Sequence, residues 1–148
     1  EKVMLSFFDQ FSSKRLLFEN CPHVDYSEKK EHYLFSTPAT MKTLLQRFKA
    51  KMTLDFGHAV CSANVLGVSP YQLIDEFFAL HPPYFHLSGI DSTSRVDTHK
   101  HLFEVEHDYH YLRRIKKQHY LTLETWYPGS DGRSVCLKDL DIIRRFSS

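Results

Sequence analysis

The feature that most constrains this chain is a recurrence. "LLFEN", "MTLDF", "PYFHLS" and "YLTLET" are short apolar runs, and each carries near its end a side chain able to hold a proton or a cation: Glu19, Asp55, His86 and Glu124. Short, almost wholly apolar runs set apart by helical stretches belong to a parallel sheet covered on at least one face. The strands are expected over 15–20, 52–56, 83–88 and 120–125. Val3, Phe7, Phe8 and Phe11 share one helical face ahead of the first run. Thr37-Pro38 is a cap followed by a first-turn proline, with Met41, Leu44, Leu45 and Phe48 at helical spacing; Ser69-Pro70 repeats the signal before Leu73, Ile74, Phe77 and Phe78. Tyr109, Leu112 and Ile115 predict another helix, whose Arg113, Arg114, Lys116 and Lys117 suit the negative end of its dipole. A last helix is expected over Leu137, Leu140, Ile143 and Phe146. The order is α(βα)4, in one unit spanning 1–148.

Composition supports that reading and excludes others. A chain of 148 residues with 42% hydrophobic and 14% aromatic side chains can bury one sizeable core. Its 19 basic and 18 acidic residues nearly cancel, so no global field draws it to nucleic acid or an anionic membrane. No apolar run approaches the roughly 20 residues of a membrane span, and no signal-peptide pattern opens the chain, so a cytoplasmic location and no membrane partner are expected. Cys21, Cys61 and Cys136 are odd in number, far apart and without a C-x-x-C pair, which fits reduced thiols and excludes a zinc ribbon.

The polar residues that close the runs are the functional clue. In parallel α/β folds the carboxyl ends of the strands form the functional rim. The spacing of Glu19, Asp55, His86 and Glu124 is close to the roughly 31 residues per βα unit of an eightfold barrel of about 250 residues. Any one of them alone reads equally as a helix cap or a solvated loop residue. Together, on consecutive strands, they predict a shared site. Three carboxylates and an imidazole at one closed end repel each other unless something positive sits among them. This oxygen-rich set with one nitrogen suits a divalent cation such as manganese, magnesium, zinc or iron.

The ordered series "LLFEN", "LTLDFGHA", "FHLSG…DSTSRVDTHKHL" and "YLTLET" resembles strands five to eight of the xylose isomerase-like TIM barrels, over nearly the whole chain. That superfamily holds sugar and sugar-phosphate isomerases and epimerases together with abasic-site endonucleases of the endonuclease IV type. The resemblance implies a (β/α)8 barrel of which this chain is the C-terminal half. It also implies one metal held by Glu19, Asp55, His86 and Glu124, with Glu19 and Glu124 as the catalytic acid/base pair. His58, in the D-x-x-H motif, would contact a substrate hydroxyl or a further metal. In the endonucleases the matching His58, Asp97 and His99 would bind an additional zinc. Read without the resemblance, Asp97 caps a turn and His99 is solvated. Arg95 either pairs with a substrate phosphate or carboxylate or is a surface arginine. His101, His107, His110 and His119 are expected at the surface or packed at helix ends.

The sequence also departs from the family pattern. "KHLFEVE" replaces the glycines that usually follow D-x-H, and "ENCPH" lacks the glycine-rich continuation of the endonucleases. Strands one to four are missing, so the barrel is expected to be completed by an N-terminal half that precedes Glu1 or by a second copy. The leading expectation is a metal-dependent isomerase or epimerase of a sugar or sugar phosphate. The alternatives are zinc-dependent hydrolysis of DNA at abasic sites, disfavoured by the near-zero charge, and a non-catalytic half-barrel module.

Overall fold

The computed structural model describes residues 16–23, 35–126 and 132–146. At its centre is a four-stranded sheet, wholly parallel and in sequence order: β1 (Leu17–Glu19), β2 (Lys51–Asp55), β3 (Tyr84–Leu87) and β4 (Tyr120–Leu123). Each strand falls on one of the apolar runs. The helix expected over Val3 to Phe11 lies outside the described residues.

Helix α1 (Pro38–Phe48) starts where the Thr37-Pro38 signal places it: Thr37 Oγ1 accepts from the Thr40 amide at 3.3 Å, and the helix stops at Lys49, which is left-handed with φ 48°. Helix α3 (Pro70–Phe78) likewise begins after Ser69 and buries Leu73, Ile74, Phe77 and Phe78. Between them lies α2 (Phe56–Leu66), which the sequence did not announce. Strand β2 passes into it without a loop, and its first eight residues bury seven side chains or backbones on all sides, so no helical periodicity shows.

One further expectation is corrected. The segment from Tyr109 to Ile115 is not an α-helix but a short 3-10 turn, His110–Arg114. Tyr109, Tyr111 and Leu112 are all buried, a spacing that one face of an α-helix cannot satisfy. The connection from β3 to β4 therefore carries only 3-10 turns, the other being Leu102–Glu104, so the regular (βα)4 alternation is broken there. The last helix forms where it was expected, as α4 (Gly132–Phe146), with Leu137 and Leu140 exposed and Asp139 fully buried. The helix is turned so that Asp139 accepts from His101 Nδ1 at 2.8 Å and from the Leu102 amide at 2.7 Å. His101 is thus buried at the start of a 3-10 turn.

Strand side chains alternate between faces. Phe18, Met52, Leu54, Phe85 and Leu87 point to the helices and form the core with Met41, Leu44, Phe48, Phe56 and Phe77. Phe18 meets Phe48 with ring centroids 5.8 Å apart, and Phe56 stacks on Phe85 at 5.7 Å and on Tyr111 at 4.4 Å. Burying each such side chain contributes about 1.5–3 kcal/mol. Among the described residues, no helix is long and apolar enough to cross a membrane.

Candidate metal centre

Register sets which residues share the other face. Glu19 pairs with Thr53, Asp55 with His86 and His86 with Thr122; partners across a ladder, and residues two apart along a strand, lie on one face. Glu19, Asp55 and His86 therefore share the face away from the helices, with Glu124 just past β4. Neighbouring strands are about 4.8 Å apart, so β1 and β4 lie roughly 14 Å apart across a flat sheet. Yet one ligand atom from each of Glu19, Asp55, His86 and Glu124 can be chosen so that all lie within 4.8 Å of one another. The long side chains of Glu19 and Glu124 close that span by reaching inward over this face.

The contacts inside the cluster are short. His86 Nδ1 lies 3.2 Å from Glu19 Oε1 and 3.0 Å from Glu124 Oε1, so glutamates from the two outer strands reach one imidazole nitrogen. Asp55 is fully buried. Its Oδ1 caps α2 by accepting from the His58 amide at 2.7 Å, while its Oδ2 is buried without a hydrogen-bond partner. Burial pushes the Asp55 carboxyl up to about 6; His58 opposes this, and the charges of Asp97 and Glu19 add to it. A buried carboxylate with one oxygen lacking a donor, grouped with two more carboxylates and an imidazole, calls for a positive charge. Ligands on opposite sides of a divalent cation at about 2.0–2.4 Å would be roughly 4–4.8 Å apart, so the donor set fits such an ion.

A second cluster adjoins the first. One ligand atom from each of His58, Asp97 and His99 also lies within 4.8 Å of the others. His58 Nδ1 donates to the Asn20 carbonyl at 2.7 Å and His99 Nδ1 to the Glu124 carbonyl at 2.8 Å. Carbonyl oxygens only accept, so both rings carry their proton on Nδ1 and turn Nε2 inward. Those two nitrogens lie 3.1 Å and 2.8 Å from Asp97 Oδ2. Imidazoles anchored through Nδ1, with a carboxylate between their Nε2 atoms, have the arrangement of metal-ligating histidines. Burial acts to lower the pKa of His58, but the Asp97 hydrogen bond, the Asp55 charge and the Asn20 carbonyl outweigh it and hold the ring at about 9. Burial would raise the Asp97 carboxyl; His58 and His99 hold it below its ordinary range instead. His58 Nδ1 is also 3.5 Å from Glu19 Oε1, so it stands between the clusters.

All seven residues expected to be ligands are thus brought together in two groups. Arg95 is exposed on the loop before Asp97. Cys21, Cys61 and Cys136 are free and none belongs to either group; burial with the nearby Asp97 and Asp55 pushes the Cys61 thiol up to about 12. Sequence reasoning missed the supports. Buried Asn20 extends the β1–β2 ladder with its side chain, donating from Nδ2 to the Asp55 carbonyl at 2.8 Å and accepting the Asp55 amide at 2.7 Å. Gly57 is where a Cβ would lie 2.9 Å from Ser88 Oγ and 3.2 Å from both Asp55 Oδ1 and Asp97 Oδ1. The glycine between Asp55 and His58 was the available signal, and a close approach is what it provides.

No protein-family model, curated protein or solved structure matches the chain.

Proposed function

We propose that the chain carries half of the active site of a divalent-metal-dependent isomerase or epimerase acting on a sugar or sugar phosphate, in a (β/α)8 barrel of the xylose isomerase-like kind. Four further βα units, from the same polypeptide or a second copy, complete that barrel in this reading. The free cysteines suit a reducing compartment such as the cytoplasm.

One observation carries the proposal: Glu19 and Glu124, from opposite edges of the sheet, converge on His86 Nδ1 at 3.2 Å and 3.0 Å. Glu19, Asp55, His86 and Glu124 would hold the cation, which when bound polarises carbonyl and hydroxyl oxygens and stabilises charge developing there. The residues do the rest. A sugar lying over His86 has a glutamate on either side. One takes the proton from the carbon beside the carbonyl, and the electron pair of that C–H bond moves towards the carbonyl oxygen. The other returns a proton, to the opposite face in an epimerase; in an isomerase a proton is returned to the neighbouring carbon. Asn20 and the Asp55 cap hold the ligand geometry during the transfer.

The test uses the full-length protein with manganese and a panel of ketoses and ketose phosphates in deuterated water. Carbon-bound deuterium is expected with at least one of them. Glu124→Gln should retain bound metal while the exchange rate falls by about 10²- to 10⁴-fold. Absence of exchange across the whole panel would overturn the reading.

The second cluster favours one alternative. His58, Asp97 and His99 with inward Nε2 atoms are suited to a second cation, and two cations suit phosphodiester hydrolysis. Cleavage of an abasic duplex by the zinc-loaded protein, without deuterium exchange into any sugar, would establish that reading in place of the first.

A further inference from the structure

Beside the D-x-H loop lies a cleft of about 450 Å³ lined by Asp97, Thr98, His99, Glu124, Thr125 and Trp126, within the usual size range of small-molecule sites. Trp126 is the single tryptophan of the chain, and it is 71% exposed. A large indole left in water two residues after a candidate ligand contributes little to the core. Its place is nonetheless set by the main chain. The Trp126 amide donates to the His99 carbonyl at 3.0 Å, and His99 Nδ1 donates back to the Glu124 carbonyl at 2.8 Å. Segment 124–126 and the D-x-H loop are laced together, so the backbone from which the indole projects is held at the cleft.

We propose that Trp126 is a stacking platform that determines substrate preference in this cleft, taking the C–H face of a neutral monosaccharide on its indole ring. The chemistry of the lining points to that class. An aromatic face is negative and attracts the positive edges of C–H bonds. Asp97 and Glu124 accept hydrogen bonds from hydroxyls, and the Thr98 and Thr125 hydroxyls both donate and accept. A sugar offers both surfaces, an apolar C–H patch and a ring of hydroxyls. A nucleic acid backbone needs lysine or arginine, and among the described residues none lines the cleft. The inference rests on the isomerase reading and specifies which part of the substrate meets which wall.

The experiment titrates the magnesium-loaded full-length protein with a ketopentose and a ketohexose, following tryptophan emission and, in parallel, heat of binding. In the wild type, emission should move to shorter wavelength as sugar binds, and that shift should vanish in Trp126→Phe. Trp126→Ala should weaken sugar binding about tenfold, with bound metal and Tm unchanged, while Trp126→Phe keeps most of the affinity. Equal sugar affinity in wild type and Trp126→Ala, without an emission change, overturns the platform and leaves the isomerase reading standing. No heat with either sugar, together with an emission change on adding an abasic oligonucleotide, overturns both.

Discussion

At the residue scale the site depends as much on a missing side chain as on those present. Asp55 and Asp97 come from β2 and from the loop after β3, and their Oδ1 atoms approach Gly57 so closely that a Cβ would lie 3.2 Å from each. Any side chain there must displace Ser88 or spread the two carboxylates. Gly57→Ala is therefore expected to weaken metal binding by about 10- to 100-fold, the range seen when groups supporting the ligands are lost, while the core around Phe56 and Phe85 stays intact. Metal titration by calorimetry checks it, and unchanged affinity would show that the glycine is only a packing choice. His99 is a second such residue. It sits in the left-handed region with φ 46°, which costs a non-glycine residue roughly 1–3 kcal/mol. Its ring bond to Glu124 and its amide contact to Asp97 Oδ1 at 3.4 Å hold it there.

At the scale of elements, the loop between β3 and β4 behaves as part of the scaffold. Gly89 and Lys100 form an antiparallel bridge, with hydrogen bonds of 2.7 Å and 3.1 Å, which closes the loop at its base. Asn64, on α2, donates from Nδ2 to the Ser92 carbonyl at 2.9 Å and the Ser94 carbonyl at 2.7 Å. Two clips thus present Asp97 and His99 to His58. A Cβ at Gly89 would fall on the His101 carbonyl group, which is backbone and has nowhere to yield. Gly89→Ala should cost about 1–3 kcal/mol of stability and speed amide exchange at Gly89 and Lys100. Binding at His58, Asp97 and His99 should fall more than binding at Glu19, Asp55, His86 and Glu124. Wild-type exchange rates at both amides would refute this account of the loop.

At the scale of the whole molecule, the first cluster draws on all four strands, so a cation there would tie the carboxyl ends of the sheet together. A ligand bound only by the folded state at a concentration 100 times its Kd adds about 2.7 kcal/mol. Thermal unfolding should therefore shift upward with saturating manganese or zinc and fall back with chelator, and Asp55→Ala should reduce the response; identical Tm values with and without chelator would rule out a structural grip by metal. The strands, α1, α3, the last helix and the set of ligand-type residues were legible because short-range signals carry them. Apolar runs, cap-proline pairs and polar strand ends are all readable within one turn or one strand. Helix α2 was hidden because a segment buried all round shows no period. The 3-10 turn at Tyr111 and the rotation of α4 about Asp139 were decided by partners distant in sequence, His101 among them. That Glu19 and Glu124 meet at one imidazole nitrogen, that Asp55 keeps an unpartnered oxygen and that Trp126 stands at the cleft became visible in the folded chain alone. Those facts depend on the register of the parallel strands and on hydrogen bonds between loops, and no local stretch of sequence encodes either.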